Sequence, residues 1–167
     1  MQNKKKIFSQ LYDQFVEKIY RFIFLKVNSK ELAQDFTSET FLKTWLVFQN
    51  QEILNIKSFL YTTAKNLVID YYRQRNKATC ELKNEEMIVD HNQNLEKTII
   101  LNAEIEQLRI VLATLKEEYQ DVIIWYYLDE LPVPEIAKLL DKTESANRVL
   151  IHRSLKVLRE KLEQNQK

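Results

Sequence analysis

The chain has 167 residues, 45% of them apolar, enough for one substantial core or two small ones, and a formal net charge of +1. With no glycine it cannot build a glycine-rich phosphate loop, a dinucleotide fingerprint or a nucleophile elbow. Its single cysteine, Cys80, allows neither an intramolecular disulfide nor a cysteine-based zinc site.

The net charge hides an asymmetry. Residues 1–79 hold thirteen Lys and Arg against seven Asp and Glu, residues 80–107 two against seven, and the remainder ten against ten. A basic first part, an acidic connector and a balanced last part place a polyanion-binding surface in the first half. No apolar run approaches the ~18 residues of a membrane span, and Asp13, Glu17 and Lys18 interrupt the stretch after Lys4, Lys5 and Lys6. Neither membrane insertion nor a signal peptide is expected, so the expected location is the cytoplasm.

In chain order, residues 7–26 carry Phe8, Leu11, Tyr12, Phe15, Ile19, Phe22 and Ile23 at steps of three and four, which predicts a long amphipathic helix. Asn28 followed by Glu31 has the form of a capping box and opens a second helix running to about residue 48. Its apolar members are Leu32, Phe36, Phe41, Leu42, Trp45 and Phe48, while Glu39 and Lys43, with Asp35 near by, share another face. Residues 49–57 are too irregular to continue it, and Ile53, Leu54 and Ile56 either pack the loop or wall a small pocket.

Residues 58–77, SFLYTTAKNLVIDYYRQRNK, predict the third helix. Leu60, Ala64, Leu67, Val68 and Tyr71 share a narrow arc that suits a core. Thr62, Lys65, Asn66, Ile69 and Arg73 lie opposite, and the helix runs out through Tyr72, Arg75 and Lys77. Amide, cationic and aromatic groups on one surface suit a nucleic-acid strand: cations for phosphates, π-faces for unstacked bases, an amide for base edges. A core helix with a solvated basic end would carry the same residues.

Residues 79–94 are polar, acidic and aperiodic, and read as a flexible tether. Helices are then predicted over 95–113, 117–127, 134–140 and 144–162, with Pro132 and Pro134 at the start of the third and Thr143 as N-cap of the last. Without glycine, turns fall to Asn28, Asn50, Asn55, Asn76, Asp129 and Asp141, residue types that tolerate left-handed backbone. No strand signal appears. The expected fold is all-α: two small helical domains, 1–78 and 95–167, joined by the tether.

Two short helices, a tight turn at Asp141 and Lys142 and a longer basic helix spell helix-turn-helix. Arg148, His152, Lys156 and Arg159 recur along one face of that last helix, with Arg153 beside them. Nothing converges for catalysis: His91 and His152 have no metal or triad spacing, and the carboxylates are dispersed. No enzyme activity, metal or cofactor is expected.

Taken together, LYDQFVEKIYRF, DFTSETFLKTW, IKSFLYTTAKNLVIDYYRQR, LKEEYQDVIIWYYLDELPVPEIAKLLDKTE and IHRSLKVLREKL, in this order, resemble the sigma factors of bacterial RNA polymerase, sigma-70-like, of the small extracytoplasmic-function (ECF) group. The resemblance implies a non-catalytic subunit that binds core RNA polymerase and directs it to promoter DNA. It assigns Asp35, Glu39, Thr40 and Lys43 to polymerase docking. Gln51, Asn55 and Ile56 of the loop, with Lys65, Asn66, Asp70 and Arg73 of the helix, fall to the −10 element. Ser145, Arg148, Val149, His152 and Arg153 fall to the −35 element. It also brings in an anti-sigma factor as a candidate partner. Asp141 and Ser145 stand where the family usually has glycine, Asn147 where it has a β-branched residue, and Thr37 and Ser38 replace an apolar–Gln pair. The alternatives are a free-standing helix-turn-helix regulator and a helical protein-binding adaptor.

Overall fold

The computed structural model describes residues 2–27, 29–81 and 99–165, and all regular structure among them is helical. Helix α1 spans Gln2–Val27, α2 Lys30–Asn50 and α3 Ile56–Glu81. The predicted stripe of α1 is the seam of this first bundle, with Phe15, Ile19, Phe22 and Ile23 buried. Phe8 of α1 meets Trp45 of α2 at a centroid distance of 4.9 Å, and Phe36 of α2 meets Tyr71 of α3 at 5.7 Å. On α3 the expected core face is the buried one: Leu60, Ala64, Leu67 and Val68.

Local hydrogen bonding explains the boundaries and corrects several expectations. Ser29, not Asn28, caps α2: its Oγ accepts from the Leu32 N–H at 3.2 Å, and Asn28 lies outside the described residues. At the other end, Lys4 Nζ donates to the Phe48 and Gln49 carbonyls, where a cation also complements the helix dipole. Asn55 does start α3, since its Oδ1 accepts from Ser58 N at 2.9 Å. Asn76 is no break, because α3 continues through it to Glu81 and takes in the first residues assigned to the tether. The rest of the tether and Leu95 lie outside the described residues.

Three threonines of α2 are buried. Thr37, Thr40 and Thr44 each donate a hydroxyl to the carbonyl four residues back, at 2.6, 2.7 and 2.7 Å, so they turn only methyl groups toward the core. Leu42, placed by periodicity in the apolar stripe, is instead 57% exposed, as is Leu46 beyond it at 52%.

The second group comprises α4 (Ile99–Ala113), α5 (Glu117–Ile123), α6 (Val133–Leu140) and α7 (Glu144–Asn165). Helix α5 runs on into a π-helical turn over Ile124–Leu128, in which Asp129 N–H reaches the Ile124 carbonyl five residues back at 2.9 Å. The chain then passes through left-handed backbone at Glu130 (φ 54°), a position the sequence did not flag. Pro132 precedes α6 and Pro134 sits in its first turn.

Between α6 and α7, Asp141 adopts φ 53° and ψ 47°, and the Lys142 N–H bonds the Ala137 carbonyl at 2.9 Å. This is the glycine-type helix stop made by an aspartate. Thr143 then caps α7 as expected, its Oγ1 accepting from Ala146 N at 3.2 Å.

Asn147, one turn into α7, is fully buried, and neither amide atom has a hydrogen-bond partner among the described residues. Replacing it with valine, of similar size and helix propensity, removes an unsatisfied amide from the core. Asn147→Val is expected to raise stability by about 1–3 kcal/mol, readable in urea denaturation.

The two helical groups share one hydrophobic cluster. Trp125 of the π turn enters the first bundle, stacked on Phe22 of α1 with centroids 5.6 Å apart and planes 13° apart, and edge-on to Tyr61 of α3 at 6.0 Å. All three rings are fully buried. No helix among the described residues is long and apolar enough to cross a membrane.

Candidate nucleic-acid interface

Helix α3 is anchored by its apolar stripe, and its other side presents the residues expected to meet DNA. Asn66, Asp70 and Arg73 are exposed there. The loop before α3 puts Gln51 and Asn55 at the surface and Ile56 half-buried at the helix start. Leu54, at the tip, is 97% exposed and packs against nothing in the loop. Arg73 and Asn76 also line a cleft of about 710 Å³ whose other walls include Lys26, Val68, Tyr72, Leu115 and Glu117.

Lys65 lies on the same side of α3, yet it is not open to a ligand. Its Nζ stands 2.9 Å from Asp121 Oδ2 and 3.6 Å from Glu117 Oε1, both on α5. Burial alone would lower its pKa, but the Asp121 and Glu117 carboxylates outweigh that and hold it above the ordinary lysine value. The other oxygen of Asp121 takes the ammonium of Lys26, a residue of α1 whose side chain is almost completely enclosed.

A second buried carboxylate repeats the pattern. Asp129 pairs with Arg21 of α1 through Oδ1 and accepts from the Tyr61 hydroxyl at 2.7 Å through Oδ2. Burial first, and the Asp129 charge second, push the Tyr61 hydroxyl far above its ordinary pKa, so it stays a donor. At the periphery Lys57 of α3 meets Glu135 of α6 at 2.5 Å. Sequence reading missed Arg21, Lys26, Tyr61, Asp121 and Asp129, whose partners lie tens of residues away in the chain.

On α7 the capped start orients Ser145, Arg148, Val149, His152 and Arg153 outward, all exposed. The last four, with Lys156, line one shallow concavity. Arg148 meets Glu144, one turn back, at 3.8 Å. A guanidinium pair around an exposed valine offers bidentate donors for a guanine edge and an apolar contact for a thymine methyl. On α2, Asp35, Glu39 and Lys43 share the outer surface with Leu42 and Leu46, and Glu39 pairs with Lys43 at 2.8 Å. Thr40 departs from that set: it is fully buried, with its hydroxyl committed to the Phe36 carbonyl.

Two family descriptions match the chain, Sigma-70 region 2 over residues 11–78 and Sigma-70 region 4 over residues 105–158. The chain belongs to the sigma-70-like sigma factors, ECF group. Among the relatives of this sigma factor, the ECF RNA polymerase sigma factor BldN of Streptomyces coelicolor is 29% identical over 90% of the chain, which spans 58% of BldN's own length. The ECF RNA polymerase sigma factor SigM of Bacillus subtilis is 25% identical, with 87% of this chain and 88% of SigM covered. The fold matches that of the sigma factor RpoE of Bartonella quintana, solved in complex with the anti-sigma factor NepR, with a TM-score of 0.73, 17% identity, and 95% of this chain and 98% of that one covered. The region 2 match contains the loop before α3 and α3 itself as far as residue 78, and the region 4 match contains α6, the turn and α7 as far as residue 158, so both candidate nucleic-acid faces fall inside recognised regions.

Proposed function

We propose that this sigma factor works as a promoter-specificity subunit of RNA polymerase without catalysis of its own, acting in the cytoplasm. Residues 1–78 supply polymerase docking and the −10 element, and residues 95–167 supply the −35 element. Docking falls to the outer face of α2, through Asp35, Glu39 and Lys43, with Leu42 and Leu46 adding apolar contact. The loop from Gln51 to Ile56, with Asn66, Asp70 and Arg73, takes the opened strand of the −10 element. Ser145, Arg148, Val149, His152 and Arg153 take the −35 duplex. An anti-sigma factor is a candidate partner, by likeness to RpoE.

The observation that carries this reading is the pairing of two exposed faces of different chemistry. Helix α3 exposes an amide and a guanidinium, and the loop that leads into it carries a bare leucine at its tip, a set of groups that suits unstacked bases. On α7 basic and apolar side chains follow a helix-turn-helix stop, which suits a major groove.

The test is Asn66→Ala with Arg73→Ala. Both side chains are solvent-facing, so folding and core binding should persist. Loss of an amide and a cation is expected to weaken promoter opening about tenfold or more, read by permanganate footprinting with core polymerase. Unchanged opening by the double variant would reject the assignment of this face. Failure of the unaltered chain to bind core at low salt would reject the sigma-factor reading itself.

A further inference from the structure

The first two turns of α1 are fastened to the end of α2. Lys4 Nζ donates to the Phe48 and Gln49 carbonyls at 3.2 and 3.1 Å and lies 5.8 Å from the Phe48 ring centroid. Phe8, one turn on, packs against Trp45 and Phe48. Gln51, two residues past Gln49, opens the loop that carries the bare Leu54. The start of α1 is therefore held where that loop leaves α2. Lys5 and Lys6 follow Lys4 within one helical turn, and both are exposed. No acidic residue of their own helix stands close to them: α1 has none in its first turn, its first carboxylate is Asp13, and α2 carries none after Glu39. Cations near the start of a helix oppose its dipole, so this pair does not serve the stability of α1.

From this we infer that Lys5 and Lys6 make a second phosphate contact for the opened strand, gripping its backbone beside the loop. The proposal rests on the reading of the loop and α3 as the −10 site. The division of labour is chemical. Between Gln51 and Asn55 the loop offers amides and an exposed leucine, groups for bases, and its one charged residue is Glu52, which repels a phosphate. The charge that holds the backbone there has to come from a neighbouring element. Arg73 is about 25 Å along α3 from Ile56, too far to serve the loop. Lys57, at the start of α3, pairs with Glu135 at 2.5 Å. Helix α1 brings two cations to the loop's other end, with Lys4 fixing the turn that bears them.

The test uses the whole chain with core polymerase, on a promoter found by a run-off screen, with its labelled −10 non-template strand as the probe. A phosphate contact is read in the salt dependence of binding. Lys5→Gln with Lys6→Gln is expected to bind the strand about tenfold more weakly at low salt, and to reduce the slope of log affinity against log salt by about 1.4, two cations at about 0.7 each. Lys30→Gln, at the far end of α2, should leave the slope as it is. Lys5→Arg with Lys6→Arg should restore affinity and slope together, since either cation serves a phosphate. Trimming the strand nucleotide by nucleotide should erase the effect of the glutamine pair from one end, and that of Asn66→Ala with Arg73→Ala from the other. A slope unchanged by the glutamine pair would overturn the phosphate contact. So would a loss confined to core binding, which would assign the lysines to polymerase. Failure of the unaltered holoenzyme to bind the strand at all would remove the −10 reading, and the proposal with it.

Discussion

Trp125→Ala is expected to cost about 3–5 kcal/mol, the range for deleting a large buried aromatic side chain. The ring is fully enclosed, stacked on Phe22 and edge-on to Tyr61, so alanine leaves a void bounded by two further aromatic rings. The form of the loss matters as much as its size. Each helical group keeps its own apolar stripe, so the variant should lose the joint between them first. Wild type is expected to unfold in one calorimetric transition and Trp125→Ala in two, or in one broadened and shifted down. Trp125→Phe should cost far less, about 1–2 kcal/mol, because it keeps a ring and removes an indole N–H that has no partner among the described residues.

The second large effect is expected at Lys26. Its ammonium and the Asp121 carboxylate are both enclosed, so Lys26→Ala strands much of the Asp121 charge in a poorly solvated site. Breaking a buried pair from one side typically costs about 3–5 kcal/mol. Lys65 still reaches the second oxygen of Asp121, which places the expected value near the lower end. Removing both charges should behave differently: Lys26→Met with Asp121→Leu is expected near neutrality or above it, since the desolvation penalty goes with the pair. Urea denaturation of the two variants gives the comparison. A single substitution costing no more than the double would show that water reaches the pair.

How much could be read in advance depends on how far each signal reaches along the chain. The stripe of Leu60, Ala64, Leu67 and Val68, the cap at Thr143 and the left-handed stop at Asp141 depend on neighbours within one or two turns, and the structure has them as expected. Periodicity says that a position is apolar but not what covers it. Leu42 shows this, an apolar residue exposed beside the charged outer face of α2. Phe22 shows the converse, since its partner Trp125 belongs to the other helical group. Lys26 and Asp121 look like ordinary surface charges in sequence, and only tertiary structure joins them across 95 positions. Of the assigned polymerase-docking residues, Thr40 failed to reach the surface because its β-branched side chain satisfies its own hydroxyl within the helix and can be buried whole.

The π-helical turn carries a consequence for chain length. Such a turn holds one residue more than an α-helical turn, and Ile124–Leu128 closes on Asp129 with the wider ring. Without that surplus residue the segment would wind as ordinary α-helix, rotating everything beyond it by about 100°. Asp129 would swing off Arg21 and Tyr61, and the left-handed step at Glu130 would no longer aim α6 toward α3. The mating of the two halves is therefore set by a count of residues as well as by their chemistry. A one-residue gap in this turn is the mark by which a sister chain with unmated halves could be told apart.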